Sequence, residues 1–461
     1  MSAGTASGTV GAASAVPVEG AVPGKGRRRF YLGVSAKLVL SVLFALAWTG
    51  VSVWISLPWV ADLAPHIGPA AAWTVVALAA YLPGFIVALM TMSLVLDRQP
   101  PLAVEDPVTA MTVVIAARNE EAGIAATVRG VAGAHYSGSV AIILADNGST
   151  DATSQRALEA AADAGVPLRV VREEKPGKSN ALNAALAYVT TPYVITVDAD
   201  TILHREALQR LISRLESSLP DTVAVAGSVL VRNSRTNLLT RMQEWDYYLG
   251  IAGVKRMQGL YQSTLVAQGA FSVYRTAELL RIGGWPDAIG EDIVVTWRLM
   301  EGGNRVVFEP TAVAFTDAPS RTRHFFRQRA RWARGMFEGI RAVPPWRQAR
   351  GLTKFVAGLD LLIPLLDIGY VLVWLPGLAL FLIGIPAVVS VWTLSVLPVT
   401  LIVYGALRHY QSRKVFGPLG LSVRKNRFGY LGFLLAYQAL CSSASLVGYS
   451  QFLAGSARRW K

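Results

Sequence analysis

The chain has 461 residues, 52% of them hydrophobic, and a mean hydropathy of +0.40. This composition excludes a purely soluble globular protein, and the one cysteine, Cys441, excludes an intrachain disulfide or a cysteine-based metal cluster. The net charge of +14 gathers beside apolar runs and in residues 321–350, where nine arginines meet one acid, Glu338; that placement suits phosphate-bearing small molecules and anionic headgroups rather than nucleic acid.

Residues 1–33, rich in Ala, Gly, Ser, Val and Pro without helical periodicity, read as a disordered tail. The apolar run behind them is longer than a signal-peptide core. Runs 34–57 and 70–96 carry no acid, and each is long enough to cross a hydrocarbon core of about 30 Å. Asp97 and Arg98 close the pair.

Between about 98 and 350 the pattern changes. "MTVVIAA" at 111–117 is a buried strand ending in the polar turn "RNEE"; "VAIILAD" at 140–146, "LRVVRE" at 168–173 and "YVITVD" at 193–198 repeat it, with helices opened at Ser149 to Asp151 and over 178–189. Such a βαβαβαβ series predicts a doubly wound, mostly parallel α/β sheet with ligands beyond the carboxyl ends of its strands. The polar residues there are Arg118 to Glu120, Asp146, Lys175 and Lys178, and Asp198 with Asp200. Neither GxGxxG nor GxxxxGK[ST] follows the first strand, which removes the main support for dinucleotide and P-loop readings.

An Asp-x-Asp at a strand end directs carboxylates into the cleft, where oxygen ligands suit Mg²⁺ or Mn²⁺ bridging phosphates; the alternative for an isolated pair is a solvated turn. Here the pair has company: "AARNEE" at 116–121, "ADNGSTD" at 145–151, "GKSNALNAAL" at 177–186, "DAD" at 198–200, "GED" at 290–292 and "QRARW" at 328–332. In this order the set resembles the membrane-integrated, processive family 2 glycosyltransferases, which include cellulose, chitin, hyaluronan and poly-N-acetylglucosamine synthases. The resemblance covers roughly residues 110–340 and implies a cytoplasmic GT-A-like domain between transmembrane helices.

It also implies site roles. Asp146 matches a uracil and ribose contact, although a turn or helix cap explains it too. Lys178 faces the diphosphate, Asp198 contacts the donor, Asp200 ligates the metal, and Glu120 belongs with the donor-binding residues. Inverting transfer needs a base for the acceptor hydroxyl, and Asp292 is the candidate, with Glu291 second and placed on the acceptor side. Both sit where a helix start would also stabilise them through its dipole. Many relatives carry Thr before this pair, where the chain has Gly290. Residues 321–341 predict a basic helix, by pattern an interfacial membrane helix. On it Gln328 and Trp332 meet the acceptor and Arg331 holds the diphosphate. "VAQGAFSVYR" at 266–275 resembles an acceptor-side segment, though a buried strand around Phe271 and Tyr274 fits equally.

The last apolar region covers 356–407 and resumes over 428–454, room for two helices, a basic loop and a final helix, which gives five spans. Basic residues before the first span (Lys25, Arg27 to Arg29) and before the last (Arg408, Arg413, Lys414, Arg424, Lys425, Arg427) place these segments and the central domain in the cytoplasm. Arg458, Arg459 and Lys461 then fall outside, against the same rule. A re-entrant or interfacial segment near Asp360 and Asp367 is the alternative, and these acids are also candidates for lining a channel.

The expected protein is a multi-pass enzyme of the inner (plasma) membrane, a processive inverting β-glycosyltransferase that polymerises a UDP-sugar, first UDP-N-acetylglucosamine, into an exported polysaccharide. Mg²⁺ or Mn²⁺ is its cofactor. Its partners are the UDP-sugar donor, the growing glycan, the lipid bilayer and an accessory membrane subunit, with no nucleic acid. Alternatives are a glucan or hyaluronan synthase, a single-sugar transferase to a lipid carrier, and a non-catalytic transporter or scaffold.

Overall fold

The structure, a computed structural model, describes residues 32–386, 388–389 and 396–455, with the backbone alone for 396–399. Residues 1–31 of the expected tail and the basic Arg458, Arg459 and Lys461 lie outside the described residues.

Helix α1 (Val34–Ile67) and helix α2 (Pro69–Val95) form an apolar hairpin. Its connector is one residue, Gly68, at a φ of 84° that favours glycine. Asp62, which stands between the two apolar runs of the sequence, lies inside α1. A π turn at Ala77–Tyr81 relaxes α2 just before Pro83, which lacks an amide hydrogen.

The next seven elements alternate as the sequence predicts: β1 (Met111–Ala117), α3 (Ile124–Ala132), β2 (Val140–Asp146), α4 (Thr153–Asp163), β3 (Leu168–Arg172), α5 (Lys178–Leu186) and β4 (Tyr193–Asp198). Strand β1 is buried throughout because helices cover both faces of the sheet. Its Val114 and Ala116 enter one core, while Met111, Val113, Ile115 and Ala117 enter the other.

The chain continues through β5 (Ile202–Leu203), α6 (Ala207–Glu216), β6 (Thr222–Val231), α7 (Leu238–Trp245), α8 (Ala252–Leu260), β7 (Phe271–Arg275), α9 (Thr276–Arg281), α10 (Glu291–Glu301), β8 (Arg305–Thr316) and α11 (Thr322–Ala342). The sheet order is β3-β2-β1-β4-β7-β6-β8-β5. Pairing is parallel from β3 to β4, but β7 enters antiparallel between β4 and β6, so the complete sheet is mixed. Phe271 and Tyr274 of β7 are fully buried, which supports the strand reading of that segment.

Helices α12 (Gly351–Leu382), α13 (Val396–Gln411) and α14 (Arg427–Leu453) complete the described chain. Among the described residues four helices, α1, α2, α12 and α14, are long and apolar enough to cross a membrane. The fourth of the five expected spans falls partly outside the described residues. Helix α14 runs parallel to α11: Phe325 meets Tyr437, and twelve residues later on both helices Phe337 meets Tyr449.

Candidate active site

The register of the parallel strands brings their polar ends to one level: β1 pairs Ala117 with Asp146 and Ala116 with Asp198. The loop after β1 turns through Asn119 at a φ of 55°. Its Oδ1 accepts from the Thr150 amide at 2.9 Å, while its own amide donates to Ser149 Oγ at 3.1 Å. Asn147 extends the lacing to the loop after β3: Nδ2 donates to the Glu173 and Lys175 carbonyls at 3.1 and 2.8 Å, and Oδ1 accepts from the Gly177 amide at 2.8 Å. The "DNGSTD" segment thus joins three loops into one rim. Asp146 is only 2% exposed, and its two oxygens accept from the Ser149 amide at 2.8 Å and Ser154 Oγ at 2.6 Å, so its carboxylate holds the turn.

Lys178 opens α5 and pairs with Asp198 Oδ1 while lying 3.7 Å from Glu291 Oε1. Burial opposes its charge, but Asp198, Glu291 and Asp292 outweigh burial and raise its pKa, so the ammonium stays protonated. Asp200 Oδ1 accepts from Thr201 Oγ1 at 3.3 Å and Thr316 Oγ1 at 3.1 Å. Burial, then the charge of Asp198, pushes Asp200 up to about 6, against those hydroxyls and Lys178. Glu120 is raised as well, by burial and then by Asp200, Asp198 and Asp151. Three carboxylates therefore converge with one ammonium, a charge excess that a divalent cation offsets. Asp200 Oδ2 has no protein hydrogen-bond partner among the described residues. Among the described residues no three His, Cys, Asp or Glu side chains are grouped closely enough to hold a metal by themselves.

Gly290 precedes α10, whose first turn carries Glu291 and Asp292. Glu291, expected on the acceptor side, is 6% exposed and faces Lys178. Burial pushes it up to about 7, against the pull of Lys178 and Arg331 and with the help of Asp292. Asp292 Oδ1 accepts from the Ile293 amide at 2.9 Å, and Oδ2 accepts from the Gly269 amide at 3.4 Å. A Cβ added to Gly269 would lie 2.7 Å from Lys178 Nζ. The "AQGAF" backbone consequently lies against both Lys178 and Asp292.

Helix α11 forms the facing wall. Gln328 Oε1 is buried with no hydrogen-bond partner among the described residues, an unmet acceptor. Arg331 is close enough to act electrostatically on Glu291. Trp332 is half-buried, with its ring centroid 6.3 Å from that of Tyr247 and 4.3 Å from the Arg329 guanidinium carbon. This helix is not a free interfacial element, because Phe325, Arg329, Ala330, Ala333 and Gly335 are buried in the protein.

The sequence pattern missed Thr316, Tyr247, Arg329 and Lys255, and it left Gly269 without a firm role. Lys255 Nζ donates to the Val266 carbonyl at 3.0 Å. Burial lowers its pKa to about 7, with Asp292 acting upward. No motif surrounds it; only the fold brings α8 beside Asp292.

The family model described as glycosyltransferase-like family 2 matches residues 107–335. These residues are a glycosyltransferase family 2 domain. The chain is 31% identical over 244 residues to a poly-beta-1,6-N-acetyl-D-glucosamine synthase of Staphylococcus aureus, covering 53% of this chain and 58% of that protein. A synthase of the same name from Staphylococcus epidermidis is 31% identical over 198 residues, 43% of this chain and 47% of the relative. The chain thus spans about half the length of the curated relatives it matches. Among solved structures, a mannosyltransferase from Pyrobaculum calidifontis in complex with GDP-Man and Mn²⁺ matches with a TM-score of 0.59 at 19% identity, over 84% of this chain and 99% of that one. That likeness is one of fold: the GT-A type.

Proposed function

We propose that the transferase domain moves a sugar from a UDP-sugar to a glycan hydroxyl with inversion at the anomeric carbon, repeatedly on one growing chain, with UDP-N-acetylglucosamine as donor. One observation carries this reading: Gly269 lies against both groups, an added Cβ 2.7 Å from the Lys178 ammonium and its amide donating to the Asp292 carboxylate at 3.4 Å. A diphosphate leaving toward Lys178 and a hydroxyl attacking from Asp292 approach the anomeric carbon from opposite faces, as inversion requires. The name of the staphylococcal relatives supports N-acetylglucosamine as the sugar.

In the reaction the acceptor oxygen bonds to the anomeric carbon as the bond from that carbon to the diphosphate breaks. UDP departs with the bonding pair, and the hydroxyl proton passes to Asp292. Lys178 and Arg331 offer positive charge to the leaving diphosphate, where a guanidinium adds directed hydrogen bonds. Asp200, beside Asp198 and Glu120, would hold Mg²⁺ or Mn²⁺, which when bound neutralises diphosphate charge as a Lewis acid. The rim held by Asp146 receives the uracil and ribose. Trp332 stacks on the acceptor sugar, and the unmet Gln328 oxygen accepts from a sugar hydroxyl.

The membrane part would carry the product outward. We read crossings at α1, α2, α12 and the apolar run leading into α13, with the transferase domain in the cytoplasm. Helix α14 follows α11 in register, which supports reading it on the face that bears the catalytic domain. It is also the least apolar of the four candidate spans. With α14 on that face, Arg458, Arg459 and Lys461 return to the cytoplasmic side and the conflict with the charge rule disappears. A reporter fused after Lys461 should be active only as a cytoplasmic reporter; export of it would contradict this topology.

The activity is tested by incubating purified protein in detergent with Mn²⁺ and each UDP-sugar in turn, following UDP release and product size. Long product from UDP-N-acetylglucosamine alone is expected. Short lipid-linked product would replace polymerisation with single transfer, and no UDP release with any donor would remove the catalytic reading.

A further inference from the structure

Beneath Trp332 lies a buried cation that the proposed chemistry does not use. Arg329 is 9% exposed, one helical turn before Trp332 and on the same face of α11. One nitrogen, Nη2, donates to Asp246 Oδ2 at 2.7 Å and to the Tyr437 hydroxyl at 2.7 Å. That hydroxyl in turn donates to Asp246 Oδ2 at 3.0 Å, closing a triangle of three side chains from three elements. Asp246 starts the π turn Asp246–Ile251 between α7 and α8, and Tyr437 comes from α14. Room for the Asp246 carboxylate depends on Gly250, where an added Cβ would lie 2.8 Å from Oδ1.

Four rings surround the guanidinium: Trp332 at 4.3 Å from ring centroid to guanidinium carbon, Phe325 at 5.3 Å, Tyr437 at 5.6 Å and Tyr247 at 6.0 Å. A buried ion pair is an expensive way to fill space, since apolar side chains of similar volume pack there at no electrostatic cost. A planar cation does something apolar packing does not. It meets the indole with directional, electrostatic contact that holds the ring in one orientation.

We propose that Arg329, held by Asp246 and Tyr437, is a positioning residue that fixes the Trp332 indole as a platform for the acceptor sugar, which makes α14 part of the acceptor site. The proposal rests on the acceptor role given to Trp332. It adds that the register of the growing chain is set by a hydroxyl on a helix outside the transferase domain.

The test uses full-length protein in detergent with UDP-N-acetylglucosamine and a β-linked N-acetylglucosamine tetrasaccharide as acceptor. Four variants are compared: Arg329→Met, Arg329→Lys, Tyr437→Phe and Trp332→Ala. Arg329→Met should raise the acceptor KM at least tenfold and shorten the product while the donor KM stays within twofold. Arg329→Lys, which keeps the charge but loses the planar stack, should fall between it and wild type. Tyr437→Phe removes one oxygen from a packed ring, so it keeps the test sound if Arg329→Met fails to fold, and it should raise the acceptor KM several-fold. If Trp332→Ala raises the acceptor KM but Tyr437→Phe and the folded Arg329 variants do not, the positioning role is overturned. If Trp332→Ala leaves the acceptor KM unchanged as well, the acceptor reading of Trp332 fails and the proposal fails with it.

Discussion

A Cβ added to Gly290 would lie 2.6 Å from the Cα of Gly335, and one added to Gly335 would lie 2.9 Å from the Cα of Gly290. Backbone touches backbone here, between the start of α10 and the middle of α11. Asp292 lies two residues beyond one glycine and Trp332 three before the other, so this contact sets the spacing between base and acceptor platform.

Gly290→Thr should therefore fail twice. No flexible side chain can yield at the contact, so the helices must separate, at a stability cost of about 1–3 kcal/mol. Turnover should fall at least tenfold, because Asp292 moves relative to Trp332. Chemical denaturation and UDP release check both parts, and an equally stable, fully active variant would contradict the account.

Gly269→Ala should cost activity rather than stability. The new methyl meets the far end of Lys178, which can move, but only by leaving Asp198 and the donor site. Turnover should drop by about a hundredfold or more while the melting temperature shifts by a few degrees at most. Kinetics and thermal unfolding of the same sample decide this.

Lys178→Met removes the ammonium that balances Asp198 and Glu291. A hydrogen bond to a charged group contributes about 1.5–3 kcal/mol, so UDP should bind roughly ten- to a hundredfold more weakly. Titration calorimetry with UDP and Mn²⁺ measures it.

Lys255 supplies a pH dependence with a defined sign. Its folded pKa of about 7 lies below its ordinary value of 10.5, so between these limits the unfolded chain binds the proton and the native protein does not. Stability contributed at this site therefore rises with pH across that window, and the penalty for the buried charge is fully present below about 7. Lys255→Met should raise the melting temperature more at pH 6 than at pH 9; an equal gain at both would contradict the burial of this charge.

The parallel half of the sheet was legible because a strand buried on both faces must be an unbroken apolar run. "MTVVIAA", "VAIILAD" and "YVITVD" match β1, β2 and β4 residue for residue. The antiparallel insertion of β7 was not legible, since strand order depends on non-local pairing that no local pattern encodes. The site divides in the same way. Lys178, Asp198, Asp200 and Asp292 stand in local motifs, whereas the approach of Glu291 to Lys178, more than a hundred residues earlier, was not legible. Arg329 sits inside "QRARW", yet its partners Asp246 and Tyr437 come from distant segments. Helix α14, expected as the last span, is long and apolar enough to cross a membrane, whereas its packing along α11 was not legible because it depends on contacts between distant segments.

The central claim is that Asp292 takes the acceptor proton while Lys178 and its neighbours hold the donor. It is tested most directly by comparing Asp292→Asn with wild type for UDP affinity and for polymer formation from UDP-N-acetylglucosamine with Mn²⁺. Asparagine keeps the size of the side chain and can still meet the Gly269 amide, so UDP should bind within about twofold of wild type. Polymer formation should fall by the factor of about 10²–10⁴ that general-base catalysis supplies. A variant that still makes polymer at more than a tenth of the wild-type rate, with UDP affinity intact, would contradict the assignment of Asp292 as the base.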